Sequence, residues 1–322
     1  TRDDDNDEET SSMDYNMNFR RTFAKPKQEL TFDATHSSSL SDVTHFYSER
    51  DYTLQYESKN TTPFKQTLFT PGSNDITTIQ CDYVQPIKKM FKLEAGAKSI
   101  ARSIDNKYIS QLFDYGTEKY TTDKTVSNDF KYNENIYAAY TTLAGGYRGF
   151  GFLLGLRAEQ ANTKSILVTT GKEYEKKYSN FFPSCHFTQK MKGNQEIQLS
   201  YSRRVNRPNT RALNPFRENS DPFNVRYGNP YLDPEYIFAH EINYLKYFKK
   251  ATLSATVYYR KTTGVIQRIK TIGDSTISYL TFVNLNSSKQ YGVEIISKND
   301  LTKWLNTMLS VNLFQTVIDG SN

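Results

Sequence analysis

The amino-acid sequence predicts an all-β protein, an antiparallel transmembrane β-barrel of which this chain supplies part of the wall. Aromatic residues are frequent, with 24 Tyr and 20 Phe in 322 residues, and such residues favour strands over helices. Apolar and polar residues alternate over stretches of about ten residues. The connections between these stretches alternate between short and long, which is typical of a membrane barrel.

The alternation is clearest in five stretches. A strand with lipid on one face and water on the other must repeat every two residues. Runs of about ten residues exceed the usual length of soluble strands and match the length a tilted strand needs to cross a bilayer. The apolar members of these runs are Leu253, Ala255, Val257 and Tyr259; Ile197, Leu199 and Tyr201; Phe152, Leu154, Leu156 and Ala158; Phe91, Leu93, Ala95 and Ala97; and Leu305, Leu309, Val311 and Leu313.

The same criterion predicts roughly twelve strands along the whole chain. Apolar runs that could form a membrane helix are missing, since the longest, FGFLLGL at 150–156, is short and contains two glycines. The predicted strands lie near 15–23, 28–36, 74–85, 90–104, 131–142, 148–161, 181–189, 195–204, 235–247, 251–263, 277–298 and 304–317.

The predicted connections separate by length. In an antiparallel sheet every second connection lies on the same side, so one rim carries tight turns and the other carries long loops, as in outer-membrane barrels. A soluble sandwich has no reason to separate its loops in this way. The short connections are 24–27, 85–89, 143–148, 190–194, 249–250 and 299–303, and the long ones are about 37–73, 105–130, 162–180, 205–234 and 264–276.

The long connection at 205–234 has an unusual composition. It contains five prolines between Pro208 and Pro234, which remove backbone donors and exclude a helix or a central strand over most of its length. The prolines also restrict the conformations of the unfolded chain, which stabilises a long connection in the folded state. We expect this segment to form a loop on the outer rim.

The limits of the chain also carry an expectation. It begins at Thr1 without an initiator Met and stops directly after an apolar strand. We expect residues 1–322 to form one domain, a barrel portion truncated at both ends. The acidic run at 3–9 is expected to be a solvated connection, with calcium binding as an alternative that lacks the spacing of an EF-hand loop.

Composition argues against several classes of function. The net charge of +6 is spread among carboxylates and not gathered on one stripe, which argues against nucleic-acid binding. The four histidines and two cysteines show no catalytic or metal-binding spacing. We therefore expect no enzyme activity, no catalytic or metal-ligand residues and no cofactor. We expect Cys81 and Cys185 to be buried for structural reasons or to pair occasionally.

Several motifs resemble those of outer-membrane β-barrel proteins related to TonB-dependent receptors. The segment YSRRVNRPNTRALNPF, followed by DPFNVRYGNPYLDPEYIFAHEINY, resembles that family's GNPxLxPE signature leading into a strand that carries a Glu. The pair of strands ending in GLRAE and the hairpin QCDYVQPIKKMFKLEAGAKS are similar to further family segments. The residues that carry the motifs are Arg157, Glu159, Arg204, Gly228, Asn229, Pro230, Leu232, Pro234, Glu235 and Glu241.

The resemblance implies a barrel of about 22 strands in a Gram-negative outer membrane. It also implies a plug domain inside the barrel, contributed by a region before Thr1, coupling to TonB, and uptake of an extracellular small ligand, glycan or peptide. The partners implied are thus outer-membrane lipid, the plug, TonB and the ligand. A barrel without a plug that acts as an adhesin or scaffold is the alternative, and a soluble all-β binding domain is a third hypothesis.

Two groups of residues have competing interpretations. Arg157 and Glu159 share one strand face, where they either hold a plug or form a solvated charge ladder; Arg204 and Glu241 have the same two interpretations. Arginines and aromatics in the 205–234 connection either bind a ligand at the rim, or pack the loop against itself, with the rings on the prolines and the arginines bridging to Asp221, Asp233 and Glu218. The candidate ligand contacts are Arg207, Arg211, Phe216, Arg217, Phe223, Tyr227 and Tyr231.

Overall fold

The structure, a computed structural model, describes residues 2–50, 52, 62–88, 90–217, 223–273 and 277–321. Within them, fourteen strands form a single sheet. The strands are β1 (Arg2–Thr22), β2 (Glu29–Glu49), β3 (Phe64–Ile87), β4 (Phe91–Asp114), β5 (Lys119–Thr122), β6 (Asn128–Tyr147), β7 (Phe150–Leu167), β8 (Lys172–Met191), β9 (Gln195–Asn206), β10 (Asn224–Arg226), β11 (Glu235–Tyr247), β12 (Ala251–Ile272), β13 (Ser278–Asp300) and β14 (Asn306–Asp319).

The predicted all-β antiparallel architecture is confirmed. Twelve of the strands are long and each pairs antiparallel with its neighbours, in the order β1-β2-β3-β4-β6-β7-β8-β9-β11-β12-β13-β14. The short β5 pairs with β4, and the three-residue β10 pairs parallel with β13. In the part of the chain described, β1 and β14 are the two edges of an open sheet. No helix among these residues is long and apolar enough to cross a membrane.

The two faces of the sheet differ as the alternation predicts. Directly paired residues share a face, so the register identifies rows of side chains that run across the strands. One such row joins Leu199, Ile242, Val257, Val293 and Leu313 on five neighbouring strands. All five side chains are apolar and exposed, between 40% and 71% of their surface. A continuous apolar surface of this kind suits contact with lipid.

The strands are longer than the alternation indicates, and this corrects two predicted long connections. β7 and β8 meet at a four-residue turn, 168–171, and β12 and β13 are separated only by 273–277. The strands continue past the apolar band at the rim of the longer connections. Both faces of the sheet meet water there, so hydrogen bonding between the strands needs no alternation of apolar and polar residues. The acidic run at 3–9 is exposed as predicted, but it belongs to a strand and not to a connection, because these residues pair with β2.

The tight turns of the opposite rim are confirmed. The β6–β7 turn consists of Arg148 and Gly149, both with positive φ, 47° and 88°. Two residues in this left-handed conformation match the twist of the strands that they join. The other tight connections of this rim are 23–28, 88–90, 192–194, 248–250 and 301–305.

The described parts of the connection between β9 and β11, residues 207–217 and 223–234, lie against the inner face and not above the rim as predicted. Its Leu213 and Leu232 pack with Phe130 of β6 and with Phe282 of β13. Seven strand spacings separate β4 from β13, roughly 34 Å along a flat sheet. Because the same connection also reaches Tyr108 of β4 through Phe216, with ring centroids 5.2 Å apart, the sheet must curve around it.

Candidate functional site

A buried group of charges fixes the start of the inner connection. Arg207, the first residue after β9, donates to Glu159 at 2.6 Å and to the hydroxyl of Tyr178 at 2.9 Å. Arg157 also donates to Glu159, at 2.6 Å. The Glu159 side chain is 8% exposed, so two guanidinium groups compensate a carboxylate that has little access to water.

A second carboxylate extends this group. Glu134 of β6, 5% exposed, lies 3.5 Å from Arg102 and 3.9 Å from Arg207. Burial acts to lower the pKa of Arg207, but its hydrogen bonds and charge interactions with Glu159 and Tyr178 together outweigh that effect and hold the pKa above the usual value. The guanidinium therefore stays charged. The buried group thus ties three neighbouring strands to one residue of the connection.

The GNPYLDPE segment, 228–235, forms the second anchor. A Cβ on Gly228 would lie 2.5 Å from the carbonyl oxygen of Ala212, so only glycine permits this approach. The Asn229 amide donates to the carbonyl of Phe282 at 3.1 Å. Leu232 is 1% exposed, and Glu235 accepts from Asn206 at 2.7 Å and from the Ile266 backbone at 2.6 Å. The motif residues therefore fasten the connection to β12 and β13.

Lys176 of β8 and Asn284 of β13 complete the anchoring. The Lys176 ammonium donates to the carbonyls of Tyr231 and Leu232, at 2.7 and 2.8 Å, and pairs with Asp233 at 2.6 Å. Asn284 accepts from the Asp233 backbone N–H at 2.8 Å and donates to its carbonyl at 3.0 Å. Lys176 and Asn284 belong to no sequence motif, and nothing in the sequence indicates their role.

A cavity of about 890 Å³ remains between the connection and the wall. It is bounded by β2, β3 and β4 on one side and by β12 and β13 on the other. Arg211 and Arg226 of the connection and Arg268 of β12 line it, with Tyr108 and Phe216. Among the described residues that line the cavity there is no carboxylate. Arginines beside aromatic rings are suited to binding anionic or aromatic groups.

The candidate ligand contacts are not gathered in one place. Arg211, Phe216 and Tyr227 line the cavity, and the Arg217 guanidinium lies 5.7 Å from the Tyr227 ring. Phe223 and Tyr231 are 62% and 71% exposed outside it. Arg207 belongs to the buried charge group. The partners Glu218 and Asp221, which the self-packing alternative includes, lie outside the described residues.

Two of the remaining motif residues lie on the strands beside the connection. Glu241 of β11 pairs with Arg260 of β12 at 3.0 Å, and both side chains are partly exposed. Arg204 of β9 is exposed on the same inner face. Pro230 and Pro234 are buried in the anchored segment. In the described part of the chain, no cluster of His, Cys, Asp and Glu is arranged to hold a metal ion.

Comparison with known protein families identifies the family of this chain. The profile of the outer membrane protein beta-barrel family matches residues 21–322. The chain belongs to this family. Its strands therefore lie in the outer membrane of a Gram-negative bacterium, with the exposed apolar rows facing lipid. A search of curated proteins returned no match.

Solved structures of outer-membrane receptors share the fold. The copper transporter OprC is 12% identical, with a TM-score of 0.69, over 95% of this chain and 46% of OprC. The ferric citrate transporter FecA is 11% identical, with a TM-score of 0.58, over 90% of this chain and 42% of FecA. The FrpB iron transporter from Neisseria meningitidis, as the apoprotein, is 12% identical, with a TM-score of 0.53, over 97% and 52%. The family member described here spans about half the length of these proteins.

Proposed function

We propose that this chain forms the wall and the extracellular side of a ligand-uptake channel of the TonB-dependent receptor type. The observation that carries the proposal is the inner connection 207–234, which narrows the space inside the curved wall and leaves a cavity lined by arginines and aromatic rings. A wall that served only as an anchor would need no such anchored segment or cavity.

The mechanism that fits this geometry is binding followed by passage. A ligand enters from the rim of the longer connections, contacts Arg211, Phe216 and Arg268, and is held beside the inner wall. Passage then requires movement of a plug domain inside the barrel, driven through TonB. The residues of this chain perform no covalent chemistry, since their part is to bind and orient the ligand.

The ligand class follows from the lining of the cavity. A small anionic complex, a glycan or a peptide could occupy about 890 Å³, because each offers groups that guanidinium and tyrosine side chains bind. The neighbours named for copper, ferric citrate and iron transport support uptake of a metal or its complex as the first class to test.

The test is uptake by the host cell. A deletion strain complemented with the wild-type full-length protein should accumulate one of five labelled probes: copper(II), ferric citrate, haem, an oligosaccharide or a peptide mixture. Accumulation should stop when a protonophore removes the proton gradient. The double variant Arg211→Ala and Arg268→Ala should lower accumulation at limiting probe, and Lys249→Ala with Lys250→Ala on the opposite rim is the control.

Equal accumulation of all five probes in the deletion and complemented strains would refute uptake of these classes. If the deletion strain instead lost attachment to surfaces while uptake was unchanged, the adhesin alternative would replace the proposal.

A further inference from the structure

The outer face of β9, β11, β12 and β13 carries a row of cations at the extracellular end of the apolar band. The register places Arg203 beside Phe238, Phe238 beside Lys261 and Lys261 beside Lys289. These four residues therefore lie side by side on one face. Lys289 is exposed and Lys261 is half-buried.

The row next to it, towards the tight turns, is aromatic. It consists of Tyr201, His240, Tyr259 and Tyr291 on the same four strands. The following row is the fully apolar one that contains Leu199 and Val257. Membrane proteins place aromatic side chains at the level of the lipid headgroups. The cations therefore lie at headgroup level, on the side of the membrane that the longer connections face.

Two like charges lie directly opposite each other in this row without a carboxylate between them. Cross-strand neighbours of the same sign repel, so the Lys261 and Lys289 pair weakens the sheet unless an anion lies beside it. Among the described residues, no ion pair joins either lysine to an acidic side chain. The nearest acidic group on this face, Asp319 of β14, is one row further out and bonds to Asn286 and Ser321.

Two other lysines of the outer face have ion-paired carboxylates. Lys131 of β6 pairs with Asp105 of β4 at 3.2 Å. Lys164 of β7 pairs with Glu173 and Glu175 of β8, at 2.6 and 3.2 Å. The Lys261 and Lys289 pair has no such ion-paired partner, and Asp319 acts on Lys289 alone, from one row away. A bound anion beside the two lysines would therefore stabilise this part of the sheet.

A groove beside Lys261 offers a place for the rest of such a ligand. It measures about 650 Å³ and is lined by Tyr201, Phe238, His240, Tyr259 and Lys261. Aromatic rings lie along the groove towards the apolar band, and the lysine lies at its extracellular end. This combination matches an acyl chain attached to a phosphate.

We propose that this surface binds a phosphate-bearing lipid of the outer leaflet, with its phosphate on Lys261 and Lys289 and its acyl chain in the aromatic groove. This site faces away from the cavity and is independent of the uptake function. Bound lipid would neutralise the lysine pair and fix this part of the wall at its depth in the membrane.

The test counts bound lipid on the full-length protein. The protein is extracted from its host's outer membrane in a non-ionic detergent, and phosphate-bearing lipids retained on it are counted by native mass spectrometry. The variant Lys261→Gln with Lys289→Gln should retain about one lipid fewer than the wild type. The control Lys249→Gln with Lys250→Gln removes the same charge from the opposite rim and should retain the wild-type number.

An unchanged lipid count in the Lys261 and Lys289 variant would overturn the proposal, and so would an equal loss of lipid in the control variant. Displacement of the lipid by inorganic phosphate alone would also overturn it, because it would indicate a site for a free anion. If the double variant does not fold, judged by heat-modifiable mobility, the exposed single variant Lys289→Gln is measured by the same criteria.

Discussion

The guanidinium of Arg207 donates to the carboxylate of Glu159 at 2.6 Å, although the two residues lie 48 positions apart in the sequence. Glu159 belongs to the wall, and Arg207 is the first residue of the connection that folds inside it. The pair therefore joins the barrel strand to the segment that narrows its interior.

Replacing Arg207 by Met should release the start of the connection. The variant leaves the buried Glu159 and Glu134 carboxylates with less compensation, which should cost about 3 kcal/mol. Proteolysis of the connection in intact outer membranes should become faster than in the wild type. Arg260→Met is the matched control, because its pair with Glu241 is partly exposed and its loss should cost less than about 1 kcal/mol. Equal protease resistance of Arg207→Met and wild type would contradict the anchoring role.

Replacing Leu199 by Arg should destabilise the wall. Leu199 faces lipid in the fully apolar row, so the free energy of unfolding in lipid vesicles should fall by about 2 to 4 kcal/mol. Ser200, its neighbour on the inner face, lies opposite Glu241, and Ser200→Arg should be tolerated. Urea titrations of both variants measure the difference. Tolerance of Leu199→Arg would reverse the assignment of the two faces.

Replacing Gly228 by Ala should displace the GNPYLDPE segment. The new Cβ would meet a backbone oxygen at 2.5 Å, and relief of such overpacking should cost about 2 kcal/mol. Faster hydrogen exchange of the backbone amides of Gly228 and Asn229, which bond to Asn214 and Ala212, is the expected result. Gly320→Ala, where the added Cβ meets open space, should leave exchange unchanged.

Replacing Lys176 by Met should loosen the other end of the connection. The ammonium group bonds to two carbonyls and to Asp233, and methionine can replace none of these bonds. We expect increased protease cleavage between 228 and 235. Lys177→Met is the control, since Lys177 is the adjacent residue, lies on the opposite face and is exposed. If both variants were cleaved at the same rate, Lys176 would not be an anchor.

Part of the candidate site could be predicted from the sequence. The GNPYLDPE segment and the Arg157 and Glu159 pair stand out as motifs. The residues that bind these motifs cannot be recognised in the sequence. They are single polar residues on strands whose inner faces are polar throughout, namely Lys176, Glu134, Tyr178 and Asn284. Local sequence shows that such a residue faces inward, but not which distant backbone group it will meet.

The sequence by itself determined the fold class, the order of the strands and the face that meets lipid, since alternation of period two is a local property that the solvents on each face impose on every strand. Only the tertiary structure decided how far the strands continue beyond the apolar band and that the proline-rich connection lies inside the curved wall. Those features depend on hydrogen bonds, burial and charge pairing between residues far apart in the chain. Such contacts leave no periodic pattern in the sequence.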